Sequence, residues 1–416
     1  MDHAQNLTTS NMQNARIGKT TQATLANVKT NAKQPNIATT IVPKAVARIR
    51  QDIKSWNKAL QLTKIEDNPK WYLFHQLLDE IGLDALLTSQ HKNRLLKAVK
   101  EPILLKKKGS NDIDQVQTDF INNATFTNAI NTHILNSKYK RHSLIEFSFN
   151  DDGNLKVNLI PRTNVDPTFG AVYPDYTEDK KILYRESSEY GTWLLEFGED
   201  DTDYGLFNNA VPHVLFKRFA QSCWSELCEI YGIPPRYMKT NTQDPTMVRR
   251  AEKMMTDMGA AAWFIIDESE SFEFAKGVST SGDVYKNLIN LCNNEISLLL
   301  SGAVIGQDTQ NGSRSKDESA QDMLQTLIDS DLQYLEQQWN TKVIPALVKL
   351  GVLKGDLVYE YEQTEDLEQL WKMTNEASQN YEIDTEWITE KFGIKVLGKK
   401  ETPNQNNLNL GFDFFD

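Results

Sequence analysis

Tyr231-Gly232-Ile233-Pro234-Pro235-Arg236-Tyr237 is the stretch on which the reading of this chain turns. Glycine and paired prolines cannot carry a helix onward, since each proline lacks the N–H and fixes φ. Before it, Leu215, Phe219, Cys223, Leu227 and Ile230 recur at helical steps, which predicts a helix over about 212–230. After it, Asp244-Pro245 supplies a cap and an N1 proline for a Met-rich helix running to Gly259. Trp263-Phe264-Ile265-Ile266 predicts a buried strand, Glu268-Ser269-Glu270-Ser271 a turn, and Phe272-Glu273-Phe274 its return. A second flanking helix follows over about 283–300, with Val284, Leu288, Leu291, Ile296 and Leu299 near one face. Residues 232–278 thus read as a small α+β insertion between two helices.

Further out, Gly302 to Lys316 breaks the pattern for longer than a compact domain needs for a connection. Ser315 with Glu318 three residues on reads as a capping box. The helix it would open carries Ala320, Leu324, Leu327, Asp331, Leu335, Trp339 and Val343 on one face, with only Asp331 out of pattern. That helix spans roughly 40 Å to Pro345, which should kink it. A strand at Leu357–Tyr361 and helices over about 364–379 and 384–392 precede an Asn-rich tail ending in Phe412, Phe414 and Phe415, either an anchor into a neighbour or packing on the chain itself. Toward the N-terminus, helices are predicted from Pro43 through Leu60, after Asn68-Pro69, and from Asp84 to Val99. A hairpin is predicted from Leu144–Phe149 and Leu155–Leu159 across Asn150-Asp151-Asp152-Gly153, with further strands at Ile182–Arg185 and Trp193–Phe197. The acidic run Glu199-Asp200-Asp201 reads as a solvated loop.

The 416 residues carry 45 basic and 57 acidic side chains, and the mean hydropathy of −0.52 with no long apolar run argues against a membrane-spanning chain. No charged-then-apolar leader opens the sequence, so export is not expected. The net charge of −12 hides a split, because residues 1–50 stand at +6 and the remainder at −18. Residues 1–45 therefore read as a flexible basic arm, either a plain solvated tail or a segment that meets nucleic acid or an acidic neighbour. Cys223, Cys228 and Cys292 have neither disulfide nor zinc spacing, which fits a reducing compartment.

Catalytic signatures are missing. Gly18-Lys19-Thr20 has Gln13 where a phosphate-binding loop needs glycine. None of the six histidines lies near a nucleophile elbow; His142 and His213 read as surface or capping residues. No spacing suggests a metal-binding carboxylate cluster, so neither an enzyme, a cofactor nor a metal site is expected. A DNA-processing or packaging enzyme subunit is the alternative, and it would need such a loop or cluster.

At this point the sequence resembles the portal proteins of tailed bacteriophages, in particular the Mu-like portal family. The likeness is carried by Asp84-Ala85-Leu86-Leu87 through Arg94, by Tyr231 to Tyr237, by Gly259 to Ile266 with Phe272-Glu273-Phe274, and by Glu295-Ile296 through Gly306-Gln307 to Gly312-Ser313-Arg314. It is strongest over about 210–350, weaker over 70–210 and absent in the arm and tail. Asn311 stands where the family usually has a second glycine.

The resemblance implies an α+β portal fold. Its parts would be a wing over 46–210, stem helices at 211–231 and 279–302, a clip at 232–278, a tunnel loop at 303–316, the long kinked wing helix at 317–352, a crown at 353–400 and a tail at 401–416. It implies a homo-oligomeric ring, usually of twelve subunits, at one vertex of the virion capsid, assembled in the bacterial host cytoplasm. Double-stranded DNA would pass through it without regard to sequence during packaging and ejection. The major capsid protein, the terminase large subunit and head-completion or neck adaptor proteins would be its partners, with no membrane involved. Tunnel-loop residues Gln307, Asp308, Thr309, Gln310, Asn311, Gly312, Ser313, Arg314 and Lys316 would line the channel, or else form a plain surface loop. A lining with only two cations suits weak contact with phosphates. Leu215, Phe219, Leu227, Leu288 and Leu291 would pack the stem, and Gly232, Pro234, Pro235 and Arg236 would form the clip turn. Met247, Met254, Met255 and Met258 read either as a docking face or as the insertion's own core.

Overall fold

A computed structural model describes residues 37–44, 52–198, 202–232, 236–257, 263–271, 282–304, 314–361, 367–378, 381 and 383–394. The architecture is mixed α and β, in two compact units divided after Tyr361. In the first unit a helical turn α1 (Ile37–Thr40) precedes α2 (Ile53–Thr63), α3 (Trp71–Ile81) and α4 (Ala85–Val99). Of the helix expected from Pro43 through Leu60, residues 45–51 lie outside the described residues, and α2 opens at Ile53 behind Asp52, which is extended and whose carboxylate accepts the N–H of Ser55 at 2.7 Å. Asp84 caps α4 likewise, taking the N–H groups of Leu86 and Leu87.

The arm expected to be flexible through residue 45 is docked over 37–44. Both oxygens of the buried Glu146 carboxylate accept backbone N–H groups, from Ile37 and Ala38, at 2.9 Å each. Ile37 is buried, Val42 donates to the carbonyl of Pro174, and Lys44 pairs with Asp175.

Residues 103–140, unassigned from the sequence, form β1 (Ile103–Lys107), α5 (Gln115–Asn123) and α6 (Thr125–Lys140). The expected hairpin forms as β2 (Ser143–Phe149) and β3 (Leu155–Leu159), with Ile145 opposite Leu159. A three-stranded sheet of two-residue strands follows: β4 (Val165–Asp166), β5 (Ala171–Val172) and β6 (Ile182–Leu183). The strand expected through Arg185 is cut short at Leu183 by a 3₁₀ turn over Tyr184–Glu186, where the Tyr184 hydroxyl donates to Glu196. β7 (Leu194–Phe197) pairs with the other edge of β2. The joint at Arg141, at φ +72°, demands glycine opposite it: a Cβ on Gly198 would lie 2.0 Å from the Arg141 carbonyl oxygen.

α7 (Leu206–Gly232) starts six residues before the predicted helix and carries Pro212 inside it. Its end at Gly232 falls where the glycine–proline stretch demands. β8 (Arg236–Thr240), α8 (Pro245–Asp257) and β9 (Trp263–Asp267) form a small module whose two strands are parallel, Arg236 opposite Trp263. β9 is half-buried rather than buried, and its expected return over 272–274 lies outside the described residues. α9 (Asp283–Ser301) packs back on α7.

α10 (Arg314–Gln338) already includes Ser315, so the expected capping box lies inside the helix rather than at its cap. The break near Pro345 is a π turn over Trp339–Val343, followed by α11 (Ile344–Lys349). The widened turn spares the proline ring the clash with the carbonyl four residues back. β10 (Leu357–Tyr361) pairs with β1 within the first unit, so the segment expected as a crown over 353–400 is divided by the unit boundary after Tyr361. The second unit contains α12 (Leu367–Ala377) and α13 (Thr385–Phe392), where Phe392 meets Trp371 and Trp387 edge-on. The acidic run 199–201 and the terminal phenylalanines lie outside the described residues.

Candidate functional site

The site is the pair α7 and α9, together with the small module between them. The two helices run antiparallel. Gly282, at the start of α9, lies against the Trp224 ring of late α7, while Ile296 and Leu300 of late α9 share a core with Val211, Val214 and Leu215 of early α7. That core also takes in Trp71, Phe74, Leu77 and Ile81 of α3, which fixes the pair to the body.

Polar bolts add direction to this packing. Lys217 of α7 reaches Asp84 at 2.9 Å, and Arg218 reaches both the Glu80 carboxylate and its backbone carbonyl. At the other helix, Ser301 donates to Gln90, and Arg94 donates to the carbonyl of Leu300 at 3.0 Å. Arg94 also grips Asp331 of α10 with two bonds, at 2.6 and 2.9 Å, and Lys138 of α6 adds a third at 2.5 Å. The Asp331 side chain is 1% exposed. Burial alone would lower the Arg94 pKa, and the hydrogen bonds it donates to Asp331 raise it above the ordinary value instead. Gly302, at φ +71°, then closes α9, and Ser297 holds the carbonyl of Ala303. The end of α9 at Gly302 is therefore fixed to α4 and, through Asp331, to α6 and α10.

Between polar positions, the outer surface of the pair carries bare apolar side chains. Val284, Leu291 and Leu298 repeat every seven residues on α9 and are 68, 55 and 45% exposed. On α7, Phe216 and Phe219 are about half exposed, and Met323 of α10 is bare beside Gly302. Single exposed hydrophobes are ordinary; a row at helical spacing on a helix anchored along its other side is not.

A second cluster, buried in the body, could be mistaken for a catalytic pair. Glu196 accepts from His142 at 3.1 Å, from the Tyr184 and Tyr190 hydroxyls, and twice from Arg185. Burial would raise the Glu196 pKa, but these donors hold it far below the carboxylate range, while burial lowers that of His142. His142, expected as a surface or capping residue, is fully buried, while Tyr190 and Glu196 border a cavity of about 210 Å³ that also takes in Thr341, Lys342 and Pro345. The cluster joins β2 and β7 to the π turn through Lys342, which donates to the Glu196 carbonyl. Among the described residues no three His, Cys, Asp or Glu side chains lie close enough to hold a metal, and no helix is long and apolar enough to cross a membrane.

The family model for the portal protein of Mu bacteriophage matches residues 75–394. The chain belongs to that portal family. The portal protein of Escherichia phage Mu is 23% identical over 279 residues, which is 61% of this chain and 53% of the relative, so the chain spans about half the length of the relative it matches. The family match extends past the region of strongest resemblance into α13, which the resemblance read from motifs did not reach.

Of the residues expected to pack the stem, Leu215 is buried and Leu227 and Leu288 are half-buried. Phe219 and Leu291 are 56 and 55% exposed in the single chain, because the seam between α7 and α9 runs along their other faces. Of the clip turn, Gly232 ends α7, Arg236 opens β8 with its side chain exposed, and Pro234 and Pro235 lie outside the described residues. Gln307 to Ser313 also lie outside them, and Arg314 and Lys316 are placed only as backbone of α10. Sequence reasoning missed the Arg94–Asp331–Lys138 cluster. Its signal was visible, since a carboxylate on an apolar face needs a buried cation.

Proposed function

We propose that this portal-family chain assembles into a closed ring at one capsid vertex, and that double-stranded DNA enters and leaves through its centre. The row Val284, Leu291 and Leu298 on α9 carries this reading, with Phe216 and Phe219 of α7 as the complementary surface on the next copy. Two different bare faces on one subunit suit head-to-tail contacts, which close into rings when the rotation allows. On this reading α7 and α9 are the stem, residues 232–278 the clip, and the segment between Val304 and Arg314 the tunnel loop. The bolted root at Gly302 would then set where that loop enters the channel. The clip would receive the terminase large subunit during packaging and neck adaptor proteins afterwards, and the body would contact the major capsid protein. The name of the phage Mu relative supports the portal role, and twelve subunits is the number expected from the family resemblance.

The test is light scattering with negative-stain imaging of the purified chain and of Leu291→Glu. Rings with a central hole for the parent and monomers for the variant are the expected result. Rings that persist in the variant would show that α9 does not form the seam.

A further inference from the structure

The small module keeps one helix face that the fold does not use. On α8, Ala251 and Met255 are buried beside the half-buried Val248, and this side packs on β8 and β9. Met247, Arg250 and Met254, at i, i+3 and i+7, form the adjoining face and all three are exposed. Arg249 and Lys253 are exposed next to them, and none of the three cations makes a hydrogen bond or ion pair to another described residue. The Met-rich run is therefore divided: Met255 serves the module's core, while Met247 and Met254 serve no core at all.

Charge and softness together narrow what such a face can take. Unbranched thioethers adapt to irregular apolar partners, and guanidinium groups pair carboxylates through a two-toothed fork. The cations stand out in a chain whose residues after 50 carry a net −18. A polyanion of the phosphate type would use the cations and leave the methionines idle. We propose that α8 docks an acidic amphipathic helix of another protein, its apolar residues lying over Met247 and Met254 and its carboxylates reaching Arg249, Arg250 and Lys253. This deepens the docking role given to residues 232–278 and rests on that reading only for the partner's place in the virion.

The test is fluorescence anisotropy of the full-length chain with a synthetic helical peptide bearing leucine at i, i+3 and i+7 and glutamate between. Its controls are the same peptide with serine for leucine, the same peptide with lysine for glutamate, and a random-sequence duplex DNA. Binding of the acidic leucine peptide alone is expected, weakened at least about tenfold by Met247→Ser with Met254→Ser. Arg249→Glu, Arg250→Glu and Lys253→Glu together should switch preference to the lysine peptide, which also shows that the variant is folded. Equal binding of the serine peptide would overturn the proposal, as would duplex DNA binding that ignores the methionines. Self-association lost in the methionine variant would assign the face to contacts between copies instead. Absent rings with intact peptide binding would count against the ring reading alone.

Discussion

At the scale of single residues, Asp331 is a deeply buried carboxylate, and its three bonds to Arg94 and Lys138 decide how α4, α6 and α10 meet. Removing one member of a buried pair leaves an uncompensated charge, so Asp331→Ala should cost about 3–5 kcal/mol. The double variant Asp331→Leu with Arg94→Met removes the charges together and should cost far less. Urea denaturation of the set measures both, and equal losses would mean that packing rather than charge governs the site. The residue scale also holds what the sequence displayed without explaining. Asp331 was plainly out of pattern, yet its partners lie 193 and 237 positions away in the chain.

Elements show a different balance. The helix start at Asp84 follows from a short polar side chain that takes orphan N–H groups, which is local chemistry and legible in order, whereas Asp52 caps α2 by the same chemistry at a position that the hydrophobic period did not mark. The hairpin of β2 and β3 is equally local. β1 and β8 were not legible, because a five-residue strand gains its stability from a partner that the sequence does not place beside it. α9 combines both cases. Its period marks a helix, but which apolar residues face α7 depends on a rotation that the repeat alone leaves open. Ile296 is fully buried and Leu291 half exposed, five residues apart. Ile296→Glu should therefore unfold the first unit, whereas Leu291→Glu should leave the denaturation midpoint unchanged and alter only association. Circular dichroism melts beside light scattering separate the two effects. A destabilised Leu291→Glu monomer would mean that this face packs within the chain.

For the molecule as a whole, buried histidines set the response to acid. Burial lowers the pKa of His75, of His142, and of His91 and His133 to about 4 each. Each folded value lies below the ordinary value of 6.5, so the unfolded chain takes up protons first, and stability should fall as pH drops from about 6.5 toward 4. Glu196, held low by its donors, adds a loss below its ordinary 4.5. Glu146 and Asp166, raised by burial, act in the opposite sense, but only nearer the carboxylate range. Urea midpoints at pH 7.5 and pH 5.5 should thus differ, with the lower pH less stable. His75→Phe should flatten the difference, since both ring nitrogens lack partners among the described residues while the ring packs on Trp71 and Phe74. A flat profile in the parent chain would contradict the assignment.

By itself the sequence determined many of the turns, most of the helices though not α5 and α6, that two helices bracket a small α+β insertion, and the family likeness that its motifs carry. These follow from φ preferences, caps and hydrophobic period, all set within a few residues. Only the tertiary structure decided that residues 37–44 dock on Glu146, that α9 is bolted through Arg94 to Asp331, and that Leu291, Phe219, Met247 and Met254 face outward. Each of these depends on what residues distant in sequence place alongside, because burial and pairing belong to the packed whole.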